Sequence, residues 1–133
     1  LVLSNIDEML DFPSVSAVKD VGYGGISAGV MVLEPNIDFF NDIISNLDND
    51  VYDNTYSDQS FLNWFLKDRK CWNEIPIVYN VLQKRIPLQE GVKIYHYNGQ
   101  KPWLTNKDNT CHWQMGKTPI YKLWHDFYNM EKK

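Results

Sequence analysis

Apolar positions fall into short clusters broken by polar and glycine-rich stretches, and their spacing shifts from strand-like to helix-like along the chain. Leu1-Val2-Leu3 is an apolar β-type triplet, and Ser4-Asn5 can cap a short helical turn over residues 6–10 with Asp7 and Glu8 at its positive end. Pro13 ends that turn. Residues 15–19 alternate apolar and polar side chains as an edge strand does, and Gly22-Tyr23-Gly24-Gly25 marks a loop where the backbone needs unusual torsions or close approach. Residues 28–33 form a continuous apolar run, which reads as a central strand buried on both faces.

Helical spacing takes over beyond Glu34-Pro35. Asn36 is an N-cap before Ile37, Phe40, Ile43, Ile44 and Leu47, one apolar stripe suited to core packing. Residues 48–57 are polar and Asn/Asp-rich, hence a loop, from which Ser57 caps a second helix carrying Phe61, Leu62, Phe65 and Leu66. Residues 75–81 and 92–97 read as further strands, the second closed by the turn dipeptide Asn98-Gly99. Thr118-Pro119 opens a terminal helix with Ile120, Leu123, Trp124, Phe127 and Tyr128 on its apolar face. Strands alternating with helices give an α/β domain.

Composition narrows the partners. The 133 residues are 44% hydrophobic, a core-forming content, and a net charge of −4 offers no electrostatic footprint for a phosphate backbone, so no nucleic-acid partner is expected. No apolar run approaches a membrane span. Cys71 and Cys111 have neither disulfide-framework nor zinc-site spacing, which fits a reducing compartment and a cytoplasmic location.

Chemistry concentrates in three places. His96 stands at a strand end before Gly99 and Lys101: a neutral imidazole can bind a divalent cation, a glycine lets backbone approach a phosphate, and a lysine supplies a point charge to the same anion. The alternative is a histidine that closes the strand, a solvated Lys101 and a Trp103 in the core. Asp58 and Gln59, adjacent at a helix start, can hydrogen-bond sugar hydroxyls, or Asp58 can simply answer the helix dipole. The loop around Ser27 and Ala28 leaves room for a ligand or for tight packing. His112 and His125 read as surface or capping residues, and no nucleophile elbow, Walker loop or Ser-His-Asp set is present.

In order, Gly29-Val-Met-Val-Leu-Glu-Pro-Asn36, Asp58-Gln-Ser-Phe-Leu-Asn63, Pro76-Ile-Val-Tyr-Asn80 and His96-Tyr-Asn-Gly-Gln-Lys-Pro-Trp103 resemble the second half of the glycogenin-like family 8 retaining glycosyltransferases. The resemblance implies the C-terminal part of a type-A (GT-A) nucleotide-sugar transferase fold, a mixed sheet flanked by helices, with residues 1–133 forming the second half of one catalytic domain. It implies transfer of a hexose, glucose, from a UDP-sugar to a protein or carbohydrate acceptor with retention and with manganese; a homodimer is a further partner to test. His96 matches the metal-ligating histidine, Gly99 and Lys101 the diphosphate contacts, and Lys101 would also stabilise the leaving group. Asp58 and Gln59 match the pair beside the sugar, and Asp53 a nearby sugar-binding aspartate. The family's Asp-x-Asp pair would lie upstream of Leu1, so the 133-residue stretch by itself is expected to be inactive. Two departures stand out: Ser27-Ala28-Gly29 where the family has Asn-Ser-Gly, and Asn54-Thr-Tyr-Ser57 where it has a shorter Gly-Gly link. These departures motivate the rival reading, a non-catalytic module with the same fold.

Overall fold

A computed structural model describes residues 1–22, 24–48, 52–67, 69, 71–82, 90–98, 101–104 and 119–130. It comprises two compact units, one of Ile6–Ile77 and one of Leu1–Asn5 with Val78–Lys133. The expected mixed α/β class is observed. No helix among the described residues is long and apolar enough to cross a membrane.

In the Ile6–Ile77 unit, strands β1 (Ser16–Lys19), β2 (Ile26–Val32) and β3 (Asn73–Glu74) form a mixed sheet in the order β2-β1-β3. β1 runs antiparallel to β2 and parallel to β3. The expected edge and centre are therefore exchanged: β1 is central and Ser16, Ala17 and Val18 are buried, while β2 flanks it and most of its residues stay half-exposed. The polar Ser16 misleads the alternation because its hydroxyl donates to the Pro13 carbonyl at 2.5 Å, which lets it sit inside.

The pairing of β1 with β2 contains a large bulge. Lys19 and Val18 face Ile26 and Ser27, but Ala17 and Ser16 face Met31 and Val32, a slip of three residues that leaves Ala28, Gly29 and Val30 without partners on β1. An odd slip reverses the facing of everything beyond it. Ile26 and Met31, which an uninterrupted strand would point to opposite sides, both join the core of Val15, Ala17, Phe61, Phe65 and Leu66.

Helix α1 (Ile37–Ser45) starts as expected, the Asn36 side chain accepting from the Phe39 N–H at 2.9 Å. Its buried face is not the expected stripe. Phe39 and Ile43 pack on the core, whereas Ile37, Phe40, Ile44 and Leu47 are exposed. Helix α2 (Asp58–Lys67) supplies Phe61, Phe65 and Leu66. Phe65 is the hub, stacked on Phe61 at 5.6 Å, edge-on to Phe39 at 5.8 Å, and covered by the Arg69 guanidinium at 3.8 Å.

Two further starts differ from expectation. The first turn, a 3-10 helix over Asp7–Asp11, has the apolar Ile6 at its N-cap position, one residue later than the expected Ser4-Asn5 start. Ser57 enters α2 with a φ of 54°, left-handed rather than extended, and the local side-chain bond comes from Ser60, whose hydroxyl accepts from Tyr56 N–H at 2.9 Å. That left-handed residue lies in the link where the family carries glycines.

In the other unit, β4 (Val81–Leu82) runs parallel to β5 (Tyr95–His96), and the opening triplet joins them as expected through a bridge from Val2 to Ile94. The strand expected over 75–81 is interrupted, since Ile77–Tyr79 is a 3-10 turn following Pro76, which has no N–H for a ladder. Helix α3 (Pro119–Met130) is anchored by Tyr121, absent from the expected face, whose ring meets Tyr97 edge-on at 5.8 Å. Trp124 and Tyr128 stack at 5.0 Å.

The rotation of α1 is testable by chemical denaturation. Phe39→Ala is expected to cost about 2 kcal/mol more than Phe40→Ala, since only the former removes packed surface. A larger loss from Phe40→Ala would put the apolar stripe back where its spacing suggested.

Candidate functional site

On the Ile6–Ile77 unit, the site is built by two side-chain amides one helical turn apart. Asn63 Oδ1 accepts from Ile26 N–H at 2.6 Å, and its Nδ2 donates to Ile26 O at 3.0 Å and Gln59 O at 2.9 Å. Gln59 Oε1 accepts from Ala28 N–H at 3.0 Å, and its Nε2 donates to Asp20 Oδ2 at 3.1 Å. Together they pair the free edge of β2 as a neighbouring strand would, and they hold Ala28 at the start of the bulge. Gly25 makes the approach possible, because a Cβ there would lie 1.7 Å from Asn63 Oδ1. Ser27 is buried beside this clamp.

Asp58 is exposed in the first turn of α2, where the helix dipole favours its charge. Gln59 keeps one donor hydrogen and one acceptor lone pair beyond its structural bonds. Its amide is oriented in advance for a ligand hydroxyl. Asp53 stands apart from the clamp: its Oδ1 accepts from the Thr55 N–H at 3.0 Å and from the Thr55 hydroxyl, folding the lengthened link into a 3-10 turn over Asn54–Tyr56. Asp53 also lines a cavity beside Gly24 and Gly25.

On the other unit, His96 is half-buried at the end of β5. Its Nδ1 lies 2.9 Å from Asn80 Oδ1, and since an amide oxygen only accepts, Nδ1 carries the proton and Nε2 keeps its lone pair. Asn80 is itself buried. Burial, and then the nearby Lys101 charge, lower the His96 pKa below the ordinary 6.5, so the ring is neutral at physiological pH. Lys101 Nζ donates to the Tyr97 carbonyl, which ties the lysine to the residue after the histidine. Burial also pushes the Tyr97 phenol upward, so it stays protonated behind them. Gly99 and His112 lie outside the described residues, as does Cys111. Pro102 is buried, but Trp103 is mostly exposed and not a core residue. His125 is not a surface or capping residue either: its ring meets Trp124 edge-on at 5.0 Å, with Nε2 enclosed.

Among the described residues no three His, Cys, Asp or Glu side chains converge as metal ligands. The chemistry of His96 nevertheless fits one ligand position, a neutral imidazole oriented through its second nitrogen.

Comparison with known proteins gives the pattern its context. Glycogenin-1 of Mus musculus is 30% identical over 118 residues, which cover 77% of this chain and 34% of that protein. Galactinol synthase 1 of Arabidopsis thaliana is 30% identical over 115 residues, covering 79% and 32%. UDP-glucuronate:xylan alpha-glucuronosyltransferase 1 of Arabidopsis thaliana is 31% identical over 127 residues, covering 84% and 18%. The chain belongs to the glycogenin-like family 8 glycosyltransferases. It spans only 18% to 34% of the length of these relatives, and no family model matches it. Within the family frame, Asn63 and Asn80 are the residues that sequence reasoning passed over. Both end motifs that carried the resemblance, and the four-residue spacing of Gln59 and Asn63 on one helix face was the available signal.

Two outcomes follow from this geometry. Gly25→Ala should destabilise the protein by about 1–3 kcal/mol in a denaturant titration, because the new methyl displaces Asn63 and leaves Ile26 N–H unpaired. Nuclear magnetic resonance titration of the His96 ring should give a midpoint below 6.5, shifted upward in Lys101→Gln. Because the folded ring binds its proton less tightly than the unfolded one, its effect on stability is absent above the ordinary value. Stability then declines as pH falls from 6.5 to the lowered midpoint, and levels off below it. A midpoint at or above 6.5 would contradict the assignment.

Proposed function

We propose that this chain carries the second half of the catalytic domain of a UDP-sugar-dependent retaining hexosyltransferase that uses manganese and transfers glucose. The observation that carries the reading is His96, neutral, turned by Asn80 so that Nε2 has no bond among the described residues, with the Lys101 ammonium tied to the neighbouring Tyr97 carbonyl. His96 would hold the divalent cation, with carboxylates of an Asp-x-Asp pair completing its ligands. The cation would supply Lewis-acid stabilisation of the diphosphate. Lys101 places a point charge beside the same anion and stabilises the negative charge that grows on UDP as the glycosidic bond breaks.

Asp58, Gln59 and Ala28 are read as the donor-sugar side, with Asp53 nearby in sequence. Gln59 offers one donor and one acceptor to sugar hydroxyls, and Asp58 stabilises positive charge developing at the anomeric carbon. The Asp58 carboxylate, with no cation among Asp58, Gln59 and Ala28 to offset it, favours an uncharged hexose over a uronate, whose own carboxylate it would repel. That argument favours glucose over the glucuronate named for five xylan glucuronosyltransferases among the relatives.

The test is transfer by the full-length protein with manganese and either UDP-glucose or UDP-glucuronate. UDP-glucose is expected to turn over faster, and His96→Ala and Lys101→Ala should each lower kcat by about 10²-fold or more. Unchanged rates in both variants would remove the role assignment, and faster use of UDP-glucuronate would remove the donor assignment. No transfer at all, with the fold intact, would favour the non-catalytic module.

A further inference from the structure

The cavity lined by Asp53 in the Ile6–Ile77 unit has a volume of about 570 Å³, within the ordinary range for small-ligand sites. Its walls include Tyr52, Trp64 and Trp72, with Lys67 and Asp53 supplying charge. Trp64 does not stand alone: Tyr52 lies 5.7 Å from it and Phe61 5.8 Å, so its plane is fixed by packing before anything binds. A rigid aromatic plane costs little conformational entropy on binding.

The polar groups around these rings are largely unspent. Among the described residues, Lys67 and the indole N–H groups of Trp64 and Trp72 make no hydrogen bond or ion pair, and Asp53 uses only Oδ1, on Thr55. The cavity thus offers apolar faces, N–H donors and a carboxylate acceptor together. A purely apolar ligand would strand the polar groups, and a phosphate-rich one would meet Asp53 with a single lysine to offset it. A pyranose ring satisfies the whole set. In the gluco and xylo configurations the ring substituents are equatorial, so both ring faces present C–H groups to indoles while hydroxyls at the rim donate and accept.

We propose that this cavity is a saccharide subsite that takes a gluco- or xylo-configured pyranose of the acceptor. The word acceptor rests on the transferase reading, and the saccharide class does not. Trp64 and Trp72 supply the stacking faces, and Lys67 and Asp53 fix the ring's rotation by hydrogen bonds to its hydroxyls.

The test is intrinsic tryptophan fluorescence of the full-length protein titrated with xylotetraose and, separately, cellotetraose, without nucleotide or manganese. A saturable change with a Kd of about 1 mM or below is expected for at least one of them. Trp64→Ala and Trp72→Ala should each weaken that binding about tenfold, and Trp72→Phe should retain most of it. Lys67→Ala, at an exposed helix end, should weaken it several-fold even if the indole variants do not fold. No saturable change with either sugar overturns the proposal, as does an affinity unaltered by all of these substitutions. Saccharide binding without sugar transfer would leave the subsite standing and remove the transferase. Transfer with no binding here would do the reverse.

Discussion

The Ile6–Ile77 unit depends on a helix acting as a strand. β2 presents the backbone of Ile26 and Ala28 on the side away from β1, and two side-chain amides of α2 meet it with the donor and acceptor pattern of a ladder. The net contribution of each bond is modest, about 0.5–1.5 kcal/mol, but removing one partner leaves a buried N–H unpaired at about 1–3 kcal/mol. The larger effect is positional. Because Gln59 bonds Ala28 while Asn63 bonds Ile26, the first turn of α2 is tied at two points to the start of the bulge, and Gln59 and Ala28 form one patch. The absence of a side chain at Gly25 is the steric condition for all of it.

The unit of Leu1–Asn5 and Val78–Lys133 uses a different device, control of a proton. His96 is kept neutral by burial and by a neighbouring ammonium, and its tautomer is chosen by an amide oxygen, which can only accept. Lys101 is drawn onto the Tyr97 carbonyl, so the positive charge is placed by backbone rather than left to wander on a four-carbon stem. Short strands suffice for this purpose, because the Tyr97–Tyr121 contact anchors α3 against the segment that follows β5.

Much of this was legible in the sequence, and the reasons for the rest are particular. Asn36 could be read as a cap because capping is local chemistry, and the motifs around Gln59 and His96 contain the side chains that bond Ala28 and Asn80, while Asp58 sits exposed in the first turn of its helix. Residues 28–33 looked like a strand buried on both faces because the bulge there erases alternation, and periodicity carries no sign of a slip in register. The face of α1 was misjudged because both Phe39 and Phe40 are apolar, and only tertiary packing chooses between neighbours. Trp64, Lys67 and Trp72 gave no signal because nothing in their local spacing tells that they share a cavity with Asp53.

The odd slip between β1 and β2 also governs how such a site can change over generations. Inserting or deleting two residues among Ala28, Gly29 and Val30 would leave Met31 facing the core and alter only the reach of the bulge, whereas a change of one would swing Met31 outward and bring Val32 in. The parity of a length change in this loop, more than its size, therefore decides whether the sheet keeps Met31 in its core.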